Sequence, residues 1–235
     1  MICVPTSFHE GEGIPQLKID YVLSATRSIA EFVKPGDSVI LESTSPVGTT
    51  QQMADELEQA GVDVAKIHVA YCPERVLPGK ITTELVENDR VVGSLTPEAT
   101  QAVSGFYRTF VRGAVLETDA KTAEMCKLTE NSFRDVNIAF ANELSLICAK
   151  ESINVWNLFS LQTITRASIS CSPAQVSAGI ALQCIDPWFI VARDPENARL
   201  IRTAREVNNN KTVWAIDQIK IAVADASART GRNPR

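Results

Sequence analysis

"SVILESTSPVGTTQQMADELEQAGVDVAKIHVAYCPE", Ser38 to Glu74, decides the fold. Its opening run, "SVILEST", is β-rich. Thr49 to Ala60 has helical spacing and ends at Gly61, a residue suited to helix termini. "KIHVAYCPE" then reads as a second strand. Strand, helix and strand in this order predict parallel pairing. The pattern extends outward on both sides. Upstream, "MICVPT" reads as a strand end, and Tyr21 to Phe32 forms a helical pattern that stops before the turn signal "KPGD". Downstream come the strand "RVVGS", a helix over Thr96 to Phe110 with Glu98 near its start, and the strand "GAVLETD". The expectation is an α/β lobe built on a doubly wound parallel sheet.

The texture changes at Ala120. The segment from Ala120 to Ile153 lacks Gly and Pro, as does most of Glu196 to Ala228, and both have helical patterns. An all-helical lobe is therefore predicted to follow, with residues 1–117 and 118–235 as the two domains. A net charge of -5 offers no basic footprint for nucleic acid or an anionic membrane. No apolar run approaches the roughly 20 residues that span a bilayer. The cysteines Cys3, Cys72, Cys126, Cys148, Cys171 and Cys184 include no CxxC pair, which favours reduced thiols in the cytoplasm over disulfides or zinc. His9 and His68 lack partners for a metal, and no metal is expected. Trp156 and Trp188 read as core or interface aromatics.

Three stretches carry candidate chemistry. "ESTSPVGTT" places Ser43 and Thr44 at the carboxyl end of a strand, where open α/β sheets bind ligands. The plainer reading is a helix cap and turn, since Ser and Thr serve well there. "AYCPERVLPG" places Glu74 and Arg75 just after another strand, either for substrate and water or as a surface ion pair. In "EMCKLTENSFRDV", Lys127 and Asn131 are one helical turn apart, with Arg134 further along that stripe. An ammonium and an amide on one face suit an oxyanion. The plainer reading has Glu124, Lys127 and Glu130 forming ion pairs along the helix. A dinucleotide-binding sheet normally opens with GxGxxG after its first strand. That motif does not occur, so the Rossmann-like lobe is expected to be partial, without its first βα units.

Taken together, "VPT", "ILESTSPVGTT", "YCPERVLPG", "NDRVVG", "TAEMCKLTENSFRDVNIAFANELSLICA", "INVW" and "DPWFIV...ARLIRTAREVN" resemble the UDP-glucose/GDP-mannose dehydrogenase family in order and spacing. The resemblance covers nearly the whole chain apart from Leu161 to Ile185. It implies an NAD-binding lobe, a central helical dimerisation lobe and a further UDP-binding lobe, the last expected to be absent. It also implies oxidation of a sugar C6 alcohol to the acid through two hydride transfers and a cysteine thioester. The implied substrate is UDP-N-acetyl-D-mannosamine, for polysaccharide and enterobacterial common antigen synthesis, with another UDP-sugar as the alternative. By resemblance, Lys127, Asn131, Asp186, Glu74 and Thr44 are catalytic. Pro5, Thr6, Ser43 and Thr44 contact the cofactor, and Glu74, Arg75, Lys127 and Asn131 contact the sugar nucleotide. The implied partner is a second copy of the chain, as a homodimer.

The family's nucleophile is not written where the resemblance puts it. A glycine-rich "GPGVGGHCIAV" should precede "DPWFIV", whereas this chain has "AQVSAGIALQCI", and Cys184 is out of register. Codons permitted for Gln162 to Gln183, read from their third base into the TG of Cys184, spell "NHHPRVNILQPGPGVGGHCIAV". The thiol codon then straddles Ile180 and Ala181. Gln162 to about Ile185 is therefore read as an out-of-frame translation, and the chain as written is expected to be inert. The alternative class of function is a non-catalytic dimerising remnant.

Overall fold

The computed structural model describes residues 1–9, 15–76, 79–162 and 185–230. The chain divides into two compact units, Met1–Glu130 with Trp188–Arg193, and Asn131–Pro187 with Asp194–Arg235. The proposed out-of-frame segment, with the expected thiol position at Ile180 and Ala181, falls almost wholly outside the described residues.

In the first unit an antiparallel hairpin of β1 (Ser7–His9) and β2 (Gln16–Lys18) precedes α1 (Asp20–Ile29). There follow β3 (Ser38–Leu41), α2 (Thr49–Gln59), β4 (His68–Tyr71), α3 (Ile81–Glu87), β5 (Arg90–Ser94), α4 (Pro97–Tyr107) and β6 (Val115–Asp119). The strands line up in the order β3-β4-β5-β6. β3 and β4 are parallel, with Ser38 opposite His68 and Leu41 opposite Tyr71, as the opening stretch predicts. Side chains alternate across the sheet, so each strand supplies two cores. Val39, Leu41, Val69 and Tyr71 pack with Val22, Met53, Leu57 and Ala123. Ile40, Ala70, Cys72 and Val92 pack with Val103 and Tyr107. Burial on both faces is why these strands read as continuous apolar runs. Each fully buried side chain of this size contributes roughly 1.5–3 kcal/mol.

The sheet is not wholly parallel. β5 runs antiparallel to β4, with Tyr71 opposite Gly93. The reason lies in the connection. A parallel return needs a crossover packed on the sheet, and α3 buries none of its residues. The chain re-enters beside β4 in the opposite sense, and β6 then pairs parallel to β5. The predicted start of α4 stands: Thr96 caps it, its hydroxyl accepting from the Ala99 N–H at 3.2 Å with a proline next in line.

α5 (Ala120–Lys150) is 31 residues long and contributes to both units. It stops short of the expected Ile153, because Ser152 adopts a left-handed conformation (φ 55°) and the Ile153 N–H returns to the Cys148 carbonyl at 2.8 Å. The second unit is completed by α6 (Val155–Gln162), the first residues of α7 (Asp186–Arg193) and α8 (Arg199–Thr230). Here α5 and α8 meet along a buried polar seam. Arg205 pairs with Asp135, and Asn208 donates to the Asp135 carboxylate at 2.9 Å. Asn142 donates to Asn208 at 2.9 Å and Lys211 to the Ser145 hydroxyl at 2.8 Å. The partners advance along both helices together, so the two run in the same direction. Among the described residues, no helix is long and apolar enough to cross a membrane.

Gly93 marks the tightest point of the sheet. A Cβ placed there would meet the Asp119 carbonyl oxygen at 2.3 Å and the Ala123 Cβ at 2.7 Å. Backbone rather than a movable side chain blocks the space, so G93A should destabilise the chain by about 1–3 kcal/mol. Thermal melting reads this directly, and an unchanged melting temperature would refute the close approach.

Candidate functional site

The carboxyl ends of β3 and β4 gather most of the residues singled out in the sequence. Residues 2–4 run beside β3, the Ile2 N–H donating to the Ile40 carbonyl at 2.7 Å. The Ser43 hydroxyl accepts from the Val4 N–H at 2.8 Å and donates to the Val4 carbonyl at 2.7 Å. Thr6 donates to the Thr44 carbonyl at 2.7 Å, and Pro5 between them is exposed. The structure therefore brings Thr6, Ser43 and Thr44 together along one edge. It does not use Ser43 or Thr44 as the helix cap that the plainer reading expected. The cap of α2 is Gly48, at φ 97°, with no side chain to offer.

The loop after β4 sits beside this edge, its Glu74 N–H donating to the Glu42 carbonyl at 3.3 Å. The Glu74 carboxylate accepts from the Val76 N–H. Arg75 does not pair with Glu74. Its guanidinium reaches Glu130 on α5 and the Asp89 carbonyl, and its own carbonyl accepts from Asn88 at 2.9 Å. Lys127 donates from Nζ to the Glu74 carbonyl at 2.7 Å.

The expected ion pairs along α5 are thus replaced by contacts that leave the helix. Glu130 takes Arg75 and Lys127 takes Glu74. Glu124, fully buried, takes the Gly48 N–H at 2.6 Å, the Thr50 N–H at 2.8 Å and the Thr50 hydroxyl at 2.7 Å. Burial pushes its carboxyl above the usual range, against the pull of those three donors. Sequence reasoning assigned Glu124 no such role. Its position one turn before Lys127 on the same face was the available signal. In the second unit, buried Asn131 donates from its amide to the Asp186 carboxylate.

Beside Lys127 and Arg75, this edge also carries acidic groups. Glu42 accepts from the Tyr107 hydroxyl at 2.6 Å, and Glu124 closes the start of α2, where a phosphate would otherwise find N–H groups. The start of α2 therefore does not offer its N–H groups to the pyrophosphate of a dinucleotide. Lys127 and Asn131, one helical turn apart on α5, thus each donate to an oxygen atom of the chain itself, the Glu74 carbonyl and the Asp186 carboxylate.

The NAD-binding domain of the UDP-glucose/GDP-mannose dehydrogenase family matches residues 1–111, and its central domain matches residues 121–210. Over 99% of its length the chain is 52% identical to the UDP-N-acetyl-D-mannosamine dehydrogenase of Escherichia coli (strain K12), covering 56% of that protein. It is 49% identical to an NDP-N-acetyl-D-galactosaminuronic acid dehydrogenase of Ralstonia nicotianae, over 94% of this chain and 54% of that one. Among solved structures, a UDP-D-ManNAc dehydrogenase from Pyrococcus horikoshii superposes with a TM-score of 0.84 at 37% identity, over 90% of this chain and 51% of that one. The UDP-N-acetyl-mannosamine dehydrogenase of Staphylococcus aureus gives 0.81 at 38% identity, over 95% and 52%. The chain spans about half the length of these relatives.

Two of the described cysteines, Cys3 and Cys72, have thiols held away from the thiolate form. Burial pushes the Cys72 thiol up to about 11, and Cys148 is buried. Partial burial and the neighbouring Glu42 carboxylate raise Cys3. Cys171 and Cys184 lie outside the described residues. Because the thiolate is the reactive form, Cys72 should resist iodoacetamide in the folded chain at about pH 8 and react once denatured. Peptide mass spectrometry separates the two states, and rapid labelling of Cys72 in the native protein would overturn this assignment.

Proposed function

We propose, because this chain belongs to the UDP-glucose/GDP-mannose dehydrogenase family, that it carries the pocket of an NAD-dependent UDP-N-acetyl-D-mannosamine 6-dehydrogenase. In this reading residues 1–117 form the cofactor domain and 118–235 the central helical domain. Two molecules of NAD, bound in turn, would each supply the acceptor for one hydride from the sugar C6 carbon. The chain's own residues do the rest. The Lys127 ammonium and the Asn131 amide, one turn apart on α5, donate to the C6 oxygen as charge develops on it. Asp186 accepts the Asn131 amide and aligns it, and takes part in the hydrolytic step. Glu74 and Thr44 position water and substrate at the strand ends. Arg75 contacts the sugar nucleotide, and Pro5, Thr6 and Ser43 line the cofactor edge. The observation that supports the reading is the Lys127 ammonium donating at 2.7 Å to the Glu74 carbonyl, in the loop that leaves the carboxyl end of β4.

A cytoplasmic protein acting on a nucleotide sugar, with neither nucleic-acid nor membrane partners, fits this role. The out-of-frame reading of residues 162–185 removes the thiol, so the chain as written should form no NADH with UDP-N-acetyl-D-mannosamine and NAD. A frame-repaired version extended to the length of the relatives should reduce two NAD per sugar, followed at the nicotinamide absorbance. NADH formation by the present chain would eliminate the inert reading. Faster turnover by the repaired version with the N-acetylgalactosamine or glucose nucleotide would transfer the assignment to that sugar.

A second reading, a non-catalytic dimerising module, is favoured by one observation. Phe133, Phe140 and Ile147 are exposed at 59%, 57% and 49%. They recur every seven residues along α5, the spacing of one helix face. That stripe supports a homodimer under either reading. Light scattering should give twice the chain mass of 25.6 kDa, and F140E should shift the protein toward monomer.

A further inference from the structure

The start of α2 has an unusual arrangement. Its cap residue, Gly48, has no side chain, and the neighbouring hydroxyls are committed elsewhere. Ser45 donates to the Ser43 carbonyl at 3.0 Å and Thr49 to the Pro46 carbonyl at 2.7 Å. The capping oxygens come instead from Glu124, contributed by α5 from far along the chain. Both of its oxygens are used, Oε2 by Gly48 and Oε1 by Thr50. A carboxylate kept fully buried against a desolvation cost must hold its partners in fixed positions, since it has no water to turn to. Gly48 ends the loop that carries Thr44, and Thr50 lies in the first turn of the helix that follows it. The helix that supplies the carboxylate also carries Lys127, one turn on.

We propose that Glu124 is a positioning residue. Its buried carboxylate ties the β3–α2 loop to α5 and so sets where Thr44 stands relative to Lys127. The inference rests on the reading of Thr44 and Lys127 as residues of the pocket. It concerns a contact that neither of them makes. All three groups facing the carboxylate are donors, so a carboxylate serves where an amide cannot. The amide of a glutamine would turn its own N–H groups toward Gly48 or Thr50.

Wild type, E124A, E124Q and L57A distinguish tether from general support. Leu57 is fully buried on α2, and L57A weakens the same unit without touching the tether. Amide hydrogen exchange at Gly48 and Thr50 is measured against the strand amides of Val39 to Leu41, and the Thr44 methyl resonance is followed by NMR. E124A should raise exchange at Gly48 and Thr50 at least about tenfold beyond any rise in the strand, and should displace the Thr44 methyl signal. E124Q should do the same more weakly. L57A should lower the melting temperature while leaving the exchange ratio and the Thr44 signal as in wild type. An equal rise in loop and strand would overturn the proposal. So would loosened Gly48 and Thr50 with an unmoved Thr44 signal, since Glu124 would then cap the helix and nothing more. Should E124A fail to fold, E124Q decides by the same two readouts. A frame-repaired, full-length version that never reduces NAD would remove Thr44 and Lys127 from the chemistry while leaving the tether decided by these spectra.

Discussion

A single buried carboxylate joins the parts of the first unit that matter. Glu124 accepts three hydrogen bonds from the beginning of a helix whose cap is a glycine. Its burial raises the cost of ionisation, and its donors lower it. The balance holds only while all the partners stay in place. Three residues on, Lys127 holds the next loop by its carbonyl, and three further, Glu130 holds that loop by Arg75. One face of α5 thereby fixes both loops that leave the sheet at its carboxyl edge.

The sheet supplies the other half of the constraint. Strands buried on both faces leave little freedom for register, so the ends of β3 and β4 emerge level with each other, Leu41 opposite Tyr71. Gly93 lets the junction of β6 and α5 lie directly on β5, which places the long helix against the sheet. The polar edge and the helix face are consequences of this packing.

What the sequence revealed followed the range of the interactions. The strand–helix–strand unit around Ser38 to Glu74 was legible because its signals are local: apolar runs, a helix period and a closing glycine. The Thr96 cap was legible for the same reason. Lys127 and Asn131 could be paired because helix geometry alone places them one turn apart. Their partners could not be read, because Glu74 and Asp186 are reached only through tertiary folding. The antiparallel entry of β5 was hidden in a connection of ordinary length whose helix turns out to be unburied. The place of Glu124 could not be read, because nothing local shows that Gly48 lacks a side-chain cap and that a carboxylate 76 positions away supplies one.

The seam between α5 and α8 has a consequence of another kind. Arg205, Asp135, Asn208 and Asn142 are all buried, and each satisfies a neighbour. Replacing one member strands the others, at a cost of roughly 3–5 kcal/mol for a broken buried ion pair, while exchanging the set for apolar residues would carry little penalty. The intermediate steps are the forbidden ones. Lineages that inherit this seam are therefore held in place by the valley around it. Its persistence among descendants would record the difficulty of leaving rather than any advantage in staying.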